Sequence, residues 1–272
     1  IKSDSSSIVF EWKESDMESL LETCESDDVS KYIFKYFKPG DKLLEAGCGT
    51  GRWVRYLRDK GFDISGLELS QNTVDKVNKF WPDLNIIQGN CECSPFPDNT
   101  FDGVISLGVV EHWPAGPKKP LQDIFRILKK DGVGVITVPC LNKIRQIKAK
   151  LFWNEIKCAP RALLRYLIKG KKSKIFRLDK KYKFNVYPAI GEFFEYRMTP
   201  EEYKKEIGET GFTILKHESF SGMYGLYYEL NPFDLLIECK NWILSPSKTA
   251  RLLDKTLNGK SFVHGHMQVV VV

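Results

Sequence analysis

The stretch LLEAGCGTGRW, residues 43–53, decides the fold, because a short apolar run meets three closely spaced glycines just before a helix-like segment. Gly47, Gly49 and Gly51 form a GxGxG arrangement. In a parallel sheet, the loop that leaves the carboxyl end of the first strand faces the ligand crevice. Glycines in that loop let a ligand approach backbone N–H groups that side chains would block. The stretch therefore predicts a buried strand, a ligand-binding loop and a helix.

Apolar runs and helix-like segments alternate along much of the chain. The predicted strands are 42–47, 63–69, 84–89, 101–107 and 133–139, and the predicted helices are 51–61, 70–81 and 120–132. The alternation resumes with a helix at 199–211, which Thr199 caps and Pro200 begins, and with strands at 212–220 and 261–272. This order predicts an α/β fold with right-handed crossovers and helices on both faces of a parallel sheet.

Two segments interrupt the alternation. Residues 141–185 carry fifteen Lys or Arg and two acids, a charge of +13, within a chain of net charge +6. We predict a helix to Gly170 with Ile144, Ile147 and Leu151 on one face, then a charged connector over 171–185. A solvated or substrate-shaping face, an anionic membrane surface and RNA remain alternatives for this segment, and RNA is least favoured because no RNA-binding module is recognisable. The second interruption, 221–259, is rich in aromatic residues.

The composition is that of a soluble globular protein, with 272 residues of which 42% are hydrophobic. No stretch is long and apolar enough to span a membrane, and the acidic start lacks the pattern of a signal peptide. The seven cysteines are scattered and form no paired CxxC sets, so we predict no metal site. Unpaired cysteines are typical of a reducing compartment, so we predict a cytoplasmic protein. If the basic segment binds lipid, the protein would also be membrane-peripheral.

Glu68 ends the second predicted strand, about 20 residues after Gly47, which is the spacing of one crossover unit. A carboxylate there is placed to accept hydrogen bonds from both hydroxyls of a ribose. The alternative is that Glu68 only caps the following helix. A dinucleotide-dependent dehydrogenase is the main competitor on glycine spacing, but GCGTG lacks the GxGxxG register.

Five motifs occur in order, each at a predicted strand end: LLEAGCGTGRW, GLELS, IIQGNCECSPFPDNTFDGVIS, LGVVEHW and LKKDGVGVITVP. Together they resemble the class I S-adenosylmethionine-dependent methyltransferases, in particular the small-molecule branch that includes ubiquinone and menaquinone methylases. The resemblance covers residues 41–139 and recurs weakly over 193–218.

The resemblance implies a single Rossmann-like domain over 1–272, with a seven-stranded sheet in the order 3-2-1-4-5-7-6 and the last strand antiparallel. It divides the chain into an N-terminal helical segment (1–40), a cofactor-binding core (41–139), a basic helical insertion or lid (140–198) and a C-terminal part (199–272). The aromatic interruption lies within the last of these.

The resemblance also implies S-adenosylmethionine as cofactor and assigns roles to matching residues. The glycine loop would line the methionine part, Glu68 would hold the ribose, Leu69 and the pair after the third strand would meet the adenine, and Leu107 would lie beside the sulfonium. The implied cofactor residues are Glu45, Gly47, Cys48, Gly49, Gly51, Glu68, Leu69, Asn90, Cys91 and Leu107. Asn90 stands where this family commonly has Asp, so adenine binding is expected to be weaker.

Methyl transfer from a sulfonium relies largely on positioning and desolvation, and a general base helps when the acceptor is a hydroxyl or thiol. His112 is the candidate base, and the alternative is that His112 and Glu111 only shape the turn. Aromatic residues of the insertions are candidate walls of an acceptor pocket, and core packing is their alternative role: Phe193, Phe194, Tyr196, Tyr224 and Tyr228.

We therefore predict a methyltransferase for a small-molecule or lipid-like acceptor. An RNA methyltransferase that uses the basic insertion and a non-catalytic cofactor-binding partner protein are the alternatives. The sequence leaves the acceptor atom and the oligomeric state open.

Overall fold

The computed structural model describes residues 14–113, 115–150, 182–187, 191–230, 237–240, 243–258 and 262–272. Their helices are α1 (Glu14–Leu21), α2 (Ser30–Tyr36), α3 (Arg52–Asp59), α4 (Gln71–Phe80), α5 (Lys118–Ile127), α6 (Lys143–Lys150), α7 (Pro200–Glu209), α8 (Gly222–Leu230) and α9 (Lys248–Asn258), with a 3-10 turn at Val110–His112. Their strands are β1 (Lys42–Ala46), β2 (Asp63–Glu68), β3 (Ile86–Gln88), β4 (Phe101–Leu107), β5 (Leu128–Pro139), β6 (Tyr182–Tyr187), β7 (Gly191–Tyr196), β8 (Lys216–Phe220), β9 (Ile237–Lys240), β10 (Ile243–Pro246) and β11 (Met267–Val271).

Seven of these strands form one sheet in the order β3-β2-β1-β4-β5-β11-β8. The pairs from β3 to β5 are parallel, whereas β11 is antiparallel to both β5 and β8. When only the strands of this sheet are counted along the chain, the order is 3-2-1-4-5-7-6. The predicted α/β fold, strand order and antiparallel last strand are therefore confirmed.

Helices cover both faces of the sheet. Neighbouring residues of a strand point to opposite faces, and apolar residues on each face pack against helices. Leu43 and Ile105 pack with buried residues of α1 to α4 on one face. Leu44 and Val104 pack with buried residues of α5 and α7 on the other. Because β1 to β5 are parallel, their carboxyl ends lie at the same end of the sheet, which we call the carboxyl edge.

Local signals predict several helix ends correctly. The Ser70 side chain caps α4 by accepting a hydrogen bond from the Thr73 N–H. At α7, the Thr199 side chain accepts from the Glu202 N–H and the Glu202 side chain accepts from the Thr199 N–H, which is a complete capping box, and Pro200 begins the helix.

Other boundaries differ from the prediction. Helix α5 ends at Ile127 rather than at Gly132, because Leu128 already pairs with Phe101 of β4. The chain then turns through Asp131 at a φ of +64° before the regular ladder begins.

The basic insertion also differs from its prediction. Its first helix, α6, is present and carries Ile144 and Ile147. Residues 182–187, most of which were predicted as connector, form β6 and pair antiparallel with β7, so the insertion is not purely helical. Leu151 and the helix predicted to Gly170 lie outside the described residues beyond Lys150. The domain divisions themselves stay a prediction.

Candidate functional site

The glycine loop between β1 and α3 has a backbone that L side chains rarely adopt. Gly47, Gly49 and Gly51 have φ values of +82°, +52° and +71°. The N–H groups of Gly47 and Cys48 both donate to the Leu67 carbonyl, at 2.8 and 2.9 Å. The loop is therefore tied to the end of β2 at the carboxyl edge.

The Gly47 position also lacks room for a side chain. A Cβ there would lie 2.6 Å from both Cγ atoms of Val109, in the turn after β4. Because Gly47 has no side chain, the glycine loop and the turn after β4 can approach each other. The two lie side by side at the carboxyl edge.

The Glu68 carboxylate links the glycine loop to the start of α4. Its Oε2 accepts from the Gly49 N–H at 3.0 Å, and its Oε1 accepts from the Ser70 N–H at 2.9 Å. Burial raises the pKa of Glu68, and these N–H groups act in the opposite direction. Since each carboxylate oxygen has more than one acceptor site, both oxygens can accept further hydrogen bonds.

Glu45 is a buried carboxyl group near the end of β1, with 4% of its surface exposed. Its Oε2 has no hydrogen-bond partner among the described residues. Burial raises the pKa of Glu45 to about 8, although Arg52 and the Val54 N–H lower it. A buried carboxyl oxygen without a partner is unfavourable, and a ligand that brings a positively charged donor would relieve this.

The loop after β3 holds Asn90 and Cys91. Asn90 is half-buried, and its Oδ1 accepts from the Glu92 N–H at 2.8 Å, so one acceptor site of that oxygen is already used within the loop. Cys91 is buried, and burial raises the pKa of its thiol. Leu69, at the end of the neighbouring strand, is half-buried and lies beside this loop, because its carbonyl accepts from the Gln88 side chain at 3.1 Å.

The turn after β4 contains two buried ionisable residues. Leu107 ends the strand half-buried, and Gly108 follows it at a φ of +70°. Glu111 and His112 then lie buried in the 3-10 turn, with Glu111 Oε1 3.9 Å from His112 Nε2. Burial raises the pKa of Glu111 well above its usual range, and the nearby charge of Glu195 acts in the same direction.

Glu111 Oε2, like the corresponding atom of Glu45, has no hydrogen-bond partner within the described ranges. The sequence predicted Glu111 only as a part of the turn. No spacing or neighbouring residue type in VVEHW signals that this carboxyl is buried, so its burial is visible only in the structure.

Two of the five predicted aromatic residues, Tyr196 and Tyr224, have described side chains. Tyr196 is buried and packs in the core on the α5 and α7 face, and its part in an acceptor pocket stays a prediction. Tyr224 is half-buried on α8. Phe193 and Phe194 belong to β7 and Tyr228 to α8, but their side chains lie outside the described part of the chain.

The loop between α1 and α2 crosses the carboxyl edge, which the sequence did not predict. Arg52, the first residue of α3, donates to Thr23 Oγ1 at 2.6 Å and to Asp27 Oδ2 at 3.2 Å. Asp28 accepts from the N–H of Ser221, just before α8, at 3.1 Å. These contacts join residues far apart in the chain, so no local pattern could reveal them.

Among the described residues, no group of three or more His, Cys, Asp or Glu side chains is arranged to hold a metal ion. No helix in the same ranges combines the length and apolar character needed to cross a bilayer.

Comparisons with known proteins agree with this architecture. Residues 44–136 match the family described as "Methyltransferase domain". An uncharacterised protein of Methanocaldococcus jannaschii, MJ1252, is 30% identical over 192 residues, which are 67% of each chain. A demethylmenaquinone methyltransferase of Renibacterium salmoninarum is 33% identical over 99 residues, which are 36% of this chain and 41% of that protein. The chain thus spans two thirds of the first relative and about two fifths of the second.

The fold is also shared with a solved structure, a SAM-dependent methyltransferase from Archaeoglobus fulgidus. That chain superposes with a TM-score of 0.54 at 16% identity, over 94% of this chain and 93% of its own length. The shared fold, the matched residues 44–136 and the similarity to MJ1252 lead to the same assignment: this chain belongs to the class I S-adenosylmethionine-dependent methyltransferases, enzymes whose cofactor is S-adenosylmethionine.

Proposed function

We propose that this chain transfers the methyl group of S-adenosylmethionine to a small-molecule or lipid-like acceptor at the carboxyl edge. The observation that carries the proposal is the pair of carboxyl groups at the ends of β1 and β2. Glu45 presents a buried oxygen without a partner among the described residues, and Glu68 is held between two backbone N–H groups. The cofactor brings an ammonium group and two ribose hydroxyls, which suit these two carboxyl groups.

The residues present fit the cofactor. Glu45 would accept from the ammonium group, Glu68 from the ribose hydroxyls, and the N–H groups of the glycine loop would face the methionine part. The loop at Asn90 and Cys91 would meet the adenine, with Leu69 against its face. The second acceptor site of Asn90 Oδ1 is the one that remains for the adenine amino group.

Bound S-adenosylmethionine supplies a methyl group on a positively charged sulfur, so its methyl carbon is already activated for transfer. The chain contributes by positioning: Leu107 would lie beside the sulfur, and the glycine loop, which approaches Val109 closely at Gly47, would hold the methionine part in place. For a hydroxyl acceptor, His112 Nε2 would take the proton. Burial raises the pKa of Glu111 and so favours the neutral form of its carboxyl, beside His112.

A small and largely apolar acceptor is supported by two features. The matched relative from Renibacterium salmoninarum is a demethylmenaquinone methyltransferase. In this chain, the second interruption places half-buried Met223, Tyr224 and Tyr227 on α8, which begins directly after β8 at the carboxyl edge. Met223 and Tyr227 pack on the small core of that interruption, and Tyr224, on the same helix, is the residue proposed to contact an acceptor.

The proposed setting is the cytoplasm, with peripheral contact to anionic membrane. Free thiols support a reducing compartment, and the cysteines described as free are Cys24, Cys48, Cys91, Cys93 and Cys140.

The test measures binding and turnover separately. Calorimetry with S-adenosylhomocysteine should show binding to the wild type and a loss of about 10- to 150-fold in affinity for Glu68→Ala, because a charged hydrogen bond contributes about 1.5–3 kcal/mol. Transfer of a labelled methyl group to a panel of quinols, phenols and fatty acids should identify the acceptor class.

His112→Gln is the matched catalytic variant. It should lower turnover about 10²- to 10⁴-fold with a hydroxyl acceptor while cofactor affinity stays unchanged. Unchanged turnover would leave His112 with the turn-shaping role alone. Cofactor binding without turnover on any acceptor of the panel would contradict the acceptor half of the proposal and favour a non-catalytic partner protein.

A further inference from the structure

Helix α9 has one face of exposed cations with an aliphatic side chain among them. Lys248, Arg251 and Lys255 are exposed and lie three or four residues apart, so they share one side of the helix. Leu252, next to Arg251, is 66% exposed. The face therefore combines positive charge with an exposed apolar group.

The single acid of α9 does not neutralise this face. Asp254 Oδ1 lies 2.8 Å from Nε2 of His264, a buried residue in the segment that leads into β11. Asp254 thus points toward the body of the protein and fastens α9 to it.

Helix α6 repeats the combination. Its sequence, KIRQIKAK, contains no acid, and Lys143 and Ile147 are exposed one turn apart, Ile147 to 56%. Its buried cation, Arg145, donates to the Cys140 carbonyl at 2.7 Å, directly after β5. Arg145 fixes the helix to the sheet, and Lys143 and Ile147 remain on its outer side.

Both helices flank the same short segment at the carboxyl edge. The N–H groups of Lys143 and Ile144 donate to the carbonyls of Phe262 and Val263, at 3.0 and 3.2 Å, and α9 contacts the next residue, His264. Because β11 is antiparallel, its first residue pairs with Pro139, the last residue of β5. The α6–α9 surface, which comprises Lys143, Ile147, Lys248, Arg251, Leu252 and Lys255, therefore lies at the edge that carries the cofactor loop.

We propose that the α6–α9 surface docks on an anionic lipid bilayer; this inference rests on the proposed transfer to an apolar acceptor. The four cations match anionic headgroups, and Ile147 and Leu252 enter the boundary between headgroups and acyl chains. The same sign of charge continues along the chain, since residues 141–185 contain fifteen bases and two acids. Docking in this way turns the carboxyl edge toward the membrane, so that an apolar acceptor reaches the site without crossing water.

The exposed side chains favour lipid over RNA. Single-stranded nucleic acid is held by aromatic side chains on which bases stack, as well as by cations. The sequences of α6 and α9 contain no aromatic residue, and their exposed apolar groups are aliphatic. Aliphatic groups among cations suit a membrane interface.

The test is flotation of the full chain with phosphatidylcholine vesicles that do or do not contain phosphatidylserine. Wild type should float only with the anionic vesicles and less as salt is added. Arg251→Glu/Lys255→Glu should lower the partition coefficient by at least about 25-fold, since each cation near an anionic surface contributes about fivefold. Leu252→Ser should lower it by about tenfold.

Lys60→Glu/Lys130→Glu is the matched control, because it makes the same charge change at exposed positions near the amino ends of β2 and β5. It should float like the wild type. Equal flotation of the two double variants, flotation with pure phosphatidylcholine, or binding of mixed RNA at low salt without flotation would each overturn the proposal. Calorimetry with S-adenosylhomocysteine on the same samples reports the cofactor site separately, so failure of the wild type to float with intact cofactor binding would overturn the membrane contact and leave the proposed methyl transfer standing.

Discussion

Glu45→Gln should remove a large part of the pH dependence of cofactor binding. In the free chain, burial raises the pKa of Glu45 to about 8, so the carboxyl is mostly protonated at neutral pH. A protonated carboxyl cannot form an ion pair with the ammonium group of the cofactor. Binding must therefore release a proton from Glu45, and affinity should rise with pH until the pH passes the free-state pKa.

The size of the effect follows from proton linkage. If the ion pair lowers the bound-state pKa below about 6, the dissociation constant should fall about 50-fold between about pH 6 and about pH 8, and less than about twofold over the next pH unit. Gln keeps the shape of Glu but does not titrate, so Glu45→Gln should lack this slope. Its affinity at about pH 8 should also be lower than that of the wild type, because it offers no charge to the ammonium group.

Isothermal calorimetry with S-adenosylhomocysteine at a series of pH values, repeated in buffers of different ionisation enthalpy, measures both the slope and the number of protons released. The ligand's own titration is common to both proteins, so the difference between wild type and Glu45→Gln isolates this carboxyl. Parallel slopes for the two proteins, or no proton release by the wild type at about pH 7, would refute the assignment of Glu45 to the ammonium group.

Three further outcomes concern stability. Gly47→Ala should lower the free energy of unfolding by about 2 kcal/mol or more in urea unfolding. The left-handed backbone disfavours Ala by about 1–2 kcal/mol, and the added Cβ would meet Val109. Adding Val109→Ala should recover part of the loss. Thr199→Ala should cost about 1 kcal/mol through loss of the α7 cap, in the same assay. Glu111 has a raised pKa in the folded state, so its favourable contribution to folding stability is complete at acidic pH and is lost as pH rises through that pKa. The melting temperature of Glu111→Gln should therefore increase relative to that of the wild type as pH rises. A difference that stays constant with pH would contradict this.

Much of the cofactor core was predictable because its signals are short in range. The alternation of apolar runs and amphipathic segments indicated a parallel α/β sheet, and the resemblance supplied the strand order. The caps at Ser70 and Thr199 involve N–H groups three residues away, so the residue types alone identify them. The predicted glycine loop is present, and its three glycines have positive φ values.

The acceptor side was less predictable because its elements depend on distant partners. Tyr196 has the residue type of a pocket wall, and its burial in the core on the α5 and α7 face is visible only in the structure. The end of α5 was misplaced because pairing of Leu128 with Phe101 overrides a helical pattern that continues to Gly132. Composition describes an amphipathic or aromatic segment but does not say what it packs against.

By itself, the sequence determined the layered α/β architecture, the glycine loop and the place of Glu68 at the end of a strand, since periodicity and local backbone chemistry specify these. Only the tertiary structure decided that Glu45 and Glu111 each bury a carboxyl oxygen without a described partner, and that Asp27 and Asp28 tie the N-terminal loop across the carboxyl edge. The physical reason is that desolvation and pairing depend on which surfaces meet when distant segments pack together, and no local pattern of residues records that.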